Sequence, residues 1–240
     1  MEQLEGFQSV APRVSALTEE RRVAFYKKTY HHLAMAVLLF VIFEWVFFQI
    51  PAVMKFALSL TDGITWLVVL GGFMLVTSYA ETMALKTHDI GKQYAALAIY
   101  VIAEAFIFIP MIYIAMAIAE QGGENILYQA AILTISLFTG LSAVALLTKK
   151  DFSFLRSILT IGFFIALGLI IAGAIFGFNL GLWFSVGMVA LASGSILYQT
   201  SNMVHKYSEN QYVAASLGLF ASLMLLFWYI LRILIRLSGD

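Results

Sequence analysis

The chain has 240 residues, of which 62% are apolar and only 12% are charged, and its mean hydropathy is +0.91. A soluble domain carries roughly a quarter of charged residues, so this composition indicates a protein whose solvent is lipid. The net charge of 0 gives no basic field for nucleic acid, and the lack of cysteine excludes disulfides, thiol catalysis and cysteine-based zinc sites.

Residues 1–30 are polar and mixed in charge, unlike a signal peptide with a short basic start and an apolar middle. We interpret them as a cytoplasmic tail and residues 31–240 as one membrane domain, because no linker separates two folding units. A tail of this composition is either disordered or a handle that another protein can grip. The sequence leaves both alternatives open.

Seven apolar runs follow, each long enough for a helix across ~30 Å of hydrocarbon. The runs are continuous rather than alternating, which favours helices over the strands of a membrane barrel. The predicted fold class is an all-α integral membrane protein built as a bundle of seven transmembrane helices. The predicted spans are 33–50, 64–84, 94–119, 128–147, 158–176, 182–204 and 212–235.

Basic residues are divided unequally between the two sides of this bundle. Cytoplasmic loops carry an excess of lysine and arginine, so the richer side is predicted to be cytoplasmic. This orientation places the N-terminus in the cytoplasm and the C-terminus outside. The cytoplasmic set is Arg13, Arg21, Arg22, Lys27, Lys28, Lys86, Lys92, Lys149, Lys150, Arg156 and Lys206, and the outer set is Lys55, Arg232 and Arg236.

Two carboxylic acids lie deep within predicted spans. Glu44 and Glu104 both fall ~15 Å from the cytoplasmic ends of their helices, near the bilayer midplane. A charge at that depth costs about 3 kcal/mol on insertion scales, so such groups face the bundle interior. The pair is a candidate proton or cation site. The alternative is a protonated glutamic acid that makes one interhelical hydrogen bond.

The last two spans each carry a polar stripe at helical spacing. Ser195, Gln199, Asn202 and Lys206 share one face of the sixth span, and the seventh span carries Ser222, Tyr229, Arg232 and Arg236. Two facing stripes predict a wet cavity. The alternative is a set of interhelical hydrogen bonds that only fixes the packing.

No stretch fits a catalytic template such as a nucleophile elbow, a phosphate loop or a metalloprotease helix. The histidines also lack metal-ligand spacing. We therefore predict a protein that is not an enzyme and holds no metal and no cofactor.

Two stretches carry a family resemblance. Residues 138–155, FTGLSAVALLTKKDFSFL, form the turn between the fourth and fifth spans, and residues 194–232 cover the last two spans. Both are similar to the Bax inhibitor-1 family, and the run 200–205 together with Ser222 resembles its bacterial YccA-type branch. The motif residues of the first stretch are Thr148, Lys149, Asp151, Phe152, Ser153 and Phe154.

The resemblance implies a non-enzymatic protein of the bacterial inner membrane that acts in membrane-protein quality control and stress response. It implies a modulator and substrate of the membrane-anchored ATP-dependent protease FtsH, with the tail as a cytoplasmic handle. It also implies an alternative, a pH-sensitive calcium leak whose conducting members use an aspartate on each of the last two helices. Those positions fall here on Gln199 and Ser222, so a Ca²⁺ or H⁺ pathway would have to use Glu44 and Glu104. Arg156 stands where the family commonly has glycine.

Overall fold

The computed structural model describes residues 12–61, 63–87, 89–148 and 150–238. Within these ranges a short 3₁₀ turn, Val14–Ala16, precedes eight α-helices, and all of the helices except α2 are long and apolar enough to cross a membrane. The predicted seven-helix fold class is confirmed. The helices are α1 (Glu19–Gln49), α2 (Pro51–Ser59), α3 (Gly63–Lys86), α4 (Ile90–Glu120), α5 (Ile126–Thr148), α6 (Leu155–Phe176), α7 (Gly181–His205) and α8 (Tyr212–Ser238).

Helix α1 begins well before the apolar run that predicts it. It follows Thr18, and Glu19 and Glu20 occupy its first turn, where negative charge suits the positive end of the helix dipole. Residues 19–30 of the predicted polar tail are therefore helical and continuous with the first span. Hydropathy marks the part of a helix that lies in hydrocarbon, whereas the helix itself extends past that boundary.

Helix α2 is an element that the span analysis does not predict. Pro51 occupies its first turn, where the fixed φ of proline favours helix and its missing N–H costs nothing. The helix has nine residues, too few to cross a membrane. It packs on α1 and α4, and the rings of Phe56 and Phe106 lie 6.2 Å apart.

Helix α8 occupies the centre of the bundle. It contacts α1, α3, α4, α5 and α7, and its residues 213–220 are all buried. Helix α6 lies at the periphery, contacts α3 and α7, and buries only Ala166 and Gly173. Five of the other six spans therefore pack around the last helix.

An aromatic cluster joins α1, α4 and α8 near the middle of the bundle. The ring of Phe108 meets Phe40 edge-on at 5.3 Å, stacks on Phe227 at 5.6 Å and meets Trp228 edge-on at 4.9 Å. Trp66 of α3 stacks on Trp228 at 6.5 Å. These geometries are the preferred ones for aromatic pairs.

Most of the segments rich in basic residues meet at one end of the bundle, which we call the basic end. It consists of the N-terminal segment 12–18, the loop residues Thr87 and Asp89, and the loops 150–154 and 206–211. Tyr207 O accepts a hydrogen bond from Val14 N at 2.9 Å, Ser201 Oγ accepts one from Phe152 N at 2.9 Å, and Leu85 O accepts one from Gln211 Nε2 at 3.0 Å. The side of the membrane that the basic end faces stays a prediction.

Truncating the aromatic cluster is expected to destabilise the bundle. Phe108 is 2% exposed, so Phe108→Ala leaves a cavity and should lower the free energy of unfolding by about 3 kcal/mol. Phe164→Ala is the matched control, because Phe164 is 64% exposed on α6 and its removal opens no internal space. Thermal unfolding of both variants in the same detergent measures the difference. Equal melting temperatures would contradict the central role of the cluster.

Candidate functional site

The two polar stripes face each other where α7 and α8 cross. The Ser195 and Ser222 hydroxyl oxygens are 2.8 Å apart, and Ser222 Oγ donates to Gly218 O at 3.0 Å. Because Ser222 uses its proton on that carbonyl, Ser195 donates to Ser222. The contact between the helices is a chain of neutral hydrogen bonds.

Gln199 lies one turn from Ser195, toward the basic end, and faces Gly218. A Cβ on Gly218 would stand 3.0 Å from Gln199 Oε1 and 3.1 Å from its Cδ, so glycine leaves the room that the amide occupies. Helices α7 and α8 run antiparallel, so the step of four residues from Ser195 to Gln199 along α7 corresponds to the step of four residues from Ser222 back to Gly218 along α8. Gln199 and Ser222 are therefore not directly opposite each other. Each meets a different residue of the facing helix.

The other members of the two stripes lie far apart. Asn202 is buried near the basic end. At the opposite end of the bundle, the Arg232 guanidinium stands 6.0 Å above the Phe184 ring, and the Tyr229 ring lies 6.0 Å from the same phenylalanine. The two stripes therefore meet only in the middle of the bundle. Their ends lie in two separate environments, so the stripes do not form one continuous site.

A cavity of about 390 Å³ opens at the basic end between α3, α7 and α8, and we call it the basic-end cavity. Lys206 Nζ lies 5.0 Å above the Tyr198 ring, which places its ammonium at the wall. The polar side chains that line the cavity are Glu81, Arg156, Tyr198, Gln199, Asn202, Lys206, Tyr207 and Gln211. Eight polar side chains thus surround one chamber at the basic end.

Glu81 is one of the cavity residues that the sequence analysis does not select; Tyr207 and Gln211 are others. Glu81 lies near the end of α3, where a solvated carboxylate is ordinary, and no sequence signal shows that it faces α7 and α8. In the structure it is half-buried, and its carboxylate helps to raise the pKa of Tyr207 after the larger effect of burial. The phenol of Tyr207 therefore stays neutral on the cavity wall.

The two deep carboxylic acids lie in separate environments. Glu44 is buried, and neither of its carboxyl oxygens has a hydrogen-bond partner among the described residues. Glu104 is also buried and lines a cavity of about 130 Å³ with Leu70, Phe73 and Trp228 among its neighbours. Glu44 does not line that cavity. The structure thus gives the predicted pair no common chamber.

The motif residues build the turn between α5 and α6. Thr148 Oγ1 donates to Val144 O at 2.7 Å, and Asp151 Oδ1 accepts from Ser153 N at 2.8 Å. That backbone hydrogen bond is the main reason why the pKa of Asp151 is lower than usual. The rings of Phe152 and Phe154 lie 6.2 Å apart, and Lys149 lies outside the described residues. These contacts give the motif a structural role at the basic end.

The N-terminal segment 12–18 packs against the wall of the basic-end cavity. Val14 is fully buried, and Pro12 O accepts a hydrogen bond from Glu209 N at 3.1 Å. Arg21 Nε donates to Glu209 Oε1 at 3.0 Å, and the second arm of the guanidinium pairs with the other carboxylate oxygen. The segment is therefore tied to the same loop that supplies Tyr207 to the cavity.

The fold and this arrangement define a multi-pass helical membrane protein with a polar cavity at one end. Residues 22–239 match the family model described as the inhibitor of apoptosis-promoting Bax1. The chain belongs to the Bax inhibitor-1 family. The resemblance to this family is thereby confirmed, and the YccA-type branch stays a prediction.

Three relatives show how widely the likeness extends. An uncharacterized protein of Pseudomonas aeruginosa is 37% identical over 126 residues, which are 52% of this chain and 56% of that protein. An uncharacterized protein of Neisseria meningitidis is 29% identical over 202 residues, 80% of this chain and 86% of that protein. Protein lifeguard 4 of Mus musculus is 27% identical over 225 residues, 92% of this chain and 88% of that protein. Bacterial and animal relatives thus share most of the bundle.

Cysteine labelling tests both the access to the cavity and the orientation of the bundle. The chain contains no cysteine, so each introduced thiol is unique. We expect the Gln199→Cys thiol to react with a charged, membrane-impermeant reagent only when the reagent reaches the cytoplasmic side. The Ser222→Cys thiol should react at least about tenfold more slowly, because that side chain is buried. Labelling of position 199 from outside would contradict the predicted orientation.

Proposed function

We propose that this chain is a non-conducting, non-enzymatic regulatory member of the Bax inhibitor-1 family in a bacterial inner membrane. In this proposal it binds the membrane-anchored protease FtsH as a modulator and slow substrate. The observation that carries the proposal is the neutral contact between α7 and α8, where Ser222 meets Ser195 and Gln199 meets Gly218. The resemblance places an aspartate pair of conducting members in this region, and neutral groups cannot replace its charge.

The docked N-terminal segment supports the role of slow substrate. An ATP-driven protease that pulls on the N-terminus must first detach the buried Val14 and the backbone hydrogen bonds to the loop 206–211. The exposed ion pair between Arg21 and Glu209 adds less resistance to extraction, because surface ion pairs contribute little to the free energy of a folded state. A chain that is gripped but extracted slowly occupies the protease, which is how a substrate acts as a modulator.

Detaching the N-terminal segment is expected to accelerate degradation. Val14→Asp would place a carboxylate in an apolar site, which favours the detached state by at least ~1.4 kcal/mol and should speed FtsH-dependent turnover about tenfold. Val23→Asp is the matched control, because Val23 is exposed on α1. Turnover is measured by pulse-chase in cells with and without active FtsH.

Binding to the protease is measured separately, by co-purification with a proteolytically inactive FtsH. We expect the full chain to co-purify and a variant without residues 2–11 to be recovered in smaller amount. Failure of the full chain to co-purify, together with equal turnover of the two valine variants, would rule out the proposal.

The alternative, a calcium or proton leak, is tested by flux into proteoliposomes at pH 6 and pH 8. We expect no flux through the native chain at either pH. A Ser195→Asp, Ser222→Asp double variant places two carboxyl groups directly opposite each other, and it should conduct calcium better at pH 8, since the pair holds a shared proton at lower pH.

A second variant, Gln199→Asp, Ser222→Asp, places carboxyl groups at the two positions that the resemblance assigns to conducting members, so it should also gain calcium flux, and the native chain is the uncharged control. Flux through the native chain would contradict the non-conducting role. The buried Glu44 and Glu104 would then be the residues to exchange for glutamine.

A further inference from the structure

The basic-end cavity continues into the side of the bundle. A groove of about 420 Å³ runs between α6 and α7 and shares Arg156, Tyr198 and Gln199 with the cavity. The remainder of the groove is lined by Leu159, Thr160, Phe163, Phe164 and Ser195. Phe163 and Phe164 are exposed on the outer surface of α6, where lipid surrounds a spanning helix. A polar chamber with an apolar exit into the bilayer suits an amphiphile better than a small soluble solute.

The charges in the cavity are of both signs and are not neutralised by one another. Glu81, Arg156 and Lys206 line the same chamber, and none of them takes part in an ion pair with another described residue. Lys206 is held at the wall by the Tyr198 ring. Arg156 and Lys206 are exposed and Glu81 is half-buried, so all three can form charge-assisted hydrogen bonds with the opposite charges of a ligand.

The pattern of these charges selects among lipid headgroups. Two cations and the amide N–H groups of Gln199 and Asn202 suit the oxygens of a phosphodiester. The carboxylate of Glu81 suits a primary ammonium. A glycerol headgroup offers no cation for Glu81, and a choline headgroup carries methyl groups in place of the N–H donors that a carboxylate prefers.

We propose that the basic-end cavity and the groove between α6 and α7 bind one aminophospholipid. Its phosphate contacts Arg156 and Lys206, its ammonium contacts Glu81, and an acyl chain lies in the groove against Leu159, Phe163 and Phe164. This inference concerns a ligand from the bilayer and does not depend on the protease partner.

Binding is measured by native mass spectrometry and thermal unfolding of the full chain in detergent. The added ligands are phosphatidylethanolamine, phosphatidylglycerol and phosphatidylcholine with identical acyl chains, and soluble phosphoethanolamine. We expect phosphatidylethanolamine to bind at least about tenfold more tightly than the other two lipids and than the soluble headgroup. Equal affinity for the three lipids would overturn the proposal. Equal affinity for phosphoethanolamine would overturn the lipid as occupant and leave a free phosphoamine as the ligand.

Charge variants separate the roles of Arg156 and Glu81. Arg156→Gln should weaken binding of both phosphatidylethanolamine and phosphatidylglycerol about tenfold, since both lipids carry the phosphate. Glu81→Gln should weaken only phosphatidylethanolamine and so abolish the preference between the two. Arg236→Gln is the matched control, because Arg236 is exposed near the end of α8 away from the cavity.

Melting temperatures without added lipid show whether each variant keeps the native fold. In folded variants, Arg156→Gln binding as tightly as Arg236→Gln would overturn the proposal, and so would a preference for phosphatidylethanolamine that survives Glu81→Gln.

Discussion

Helix α8 can occupy the centre of the bundle because its N-terminal end, enclosed by other elements, still finds hydrogen-bond partners. The first N–H groups of any helix have no partner within that helix, and inside a membrane protein there is little water to replace one. Gln93 of α4 is fully buried, and its Oε1 accepts from Ala214 N at 3.2 Å while its Nε2 donates to Asn210 O at 3.2 Å. Gln211 likewise satisfies a backbone N–H group in the loop 206–211, because its Oε1 accepts a hydrogen bond from Ser208 N at 3.0 Å. Two glutamine side chains thus allow the start of the central helix to be buried, and the basic-end cavity forms beside them.

The sequence predicts the number and class of the helices but not which face of each helix is buried. Hydropathy recognises a spanning segment by its length, and all seven such segments are found. In lipid, however, a residue that faces the bilayer is as apolar as one that faces the core. Phe164 on α6 is exposed, whereas Phe220 on α8 is fully buried, although both belong to equally apolar runs. The same ambiguity explains why Glu44 and Glu104 are predicted at similar depth and yet line no common cavity.

The candidate site shows a second limit of prediction from sequence, which is the register between two facing helices. The spacing within α7 and within α8 correctly indicates that each helix carries a polar face, and the Ser195 to Ser222 hydrogen bond brings the two faces together. Which residue meets which depends on how far one helix slides along the other, and this offset is set by packing. Gly218 matters here, because a Cβ at that position would stand 3.0 Å from Gln199 Oε1, so the amide would have to shift by a few tenths of an ångström. Glu81 and Gln93 lie near helix ends among ordinary polar residues, so only the fold reveals what they face.

Tyr207 connects the two features of the basic end that carry the proposals. Its carbonyl accepts the hydrogen bond from Val14 that fixes the N-terminal segment, and its side chain lines the basic-end cavity next to Glu81. A ligand in the cavity and the docked segment therefore share one wall. A ligand that binds only when this wall is in place stabilises the docked state by mass action, and by reciprocity the docked segment strengthens ligand binding. If both proposals hold, lipid binding and resistance to extraction are linked through Tyr207, and a membrane rich in the preferred lipid should slow the removal of the chain by a protease.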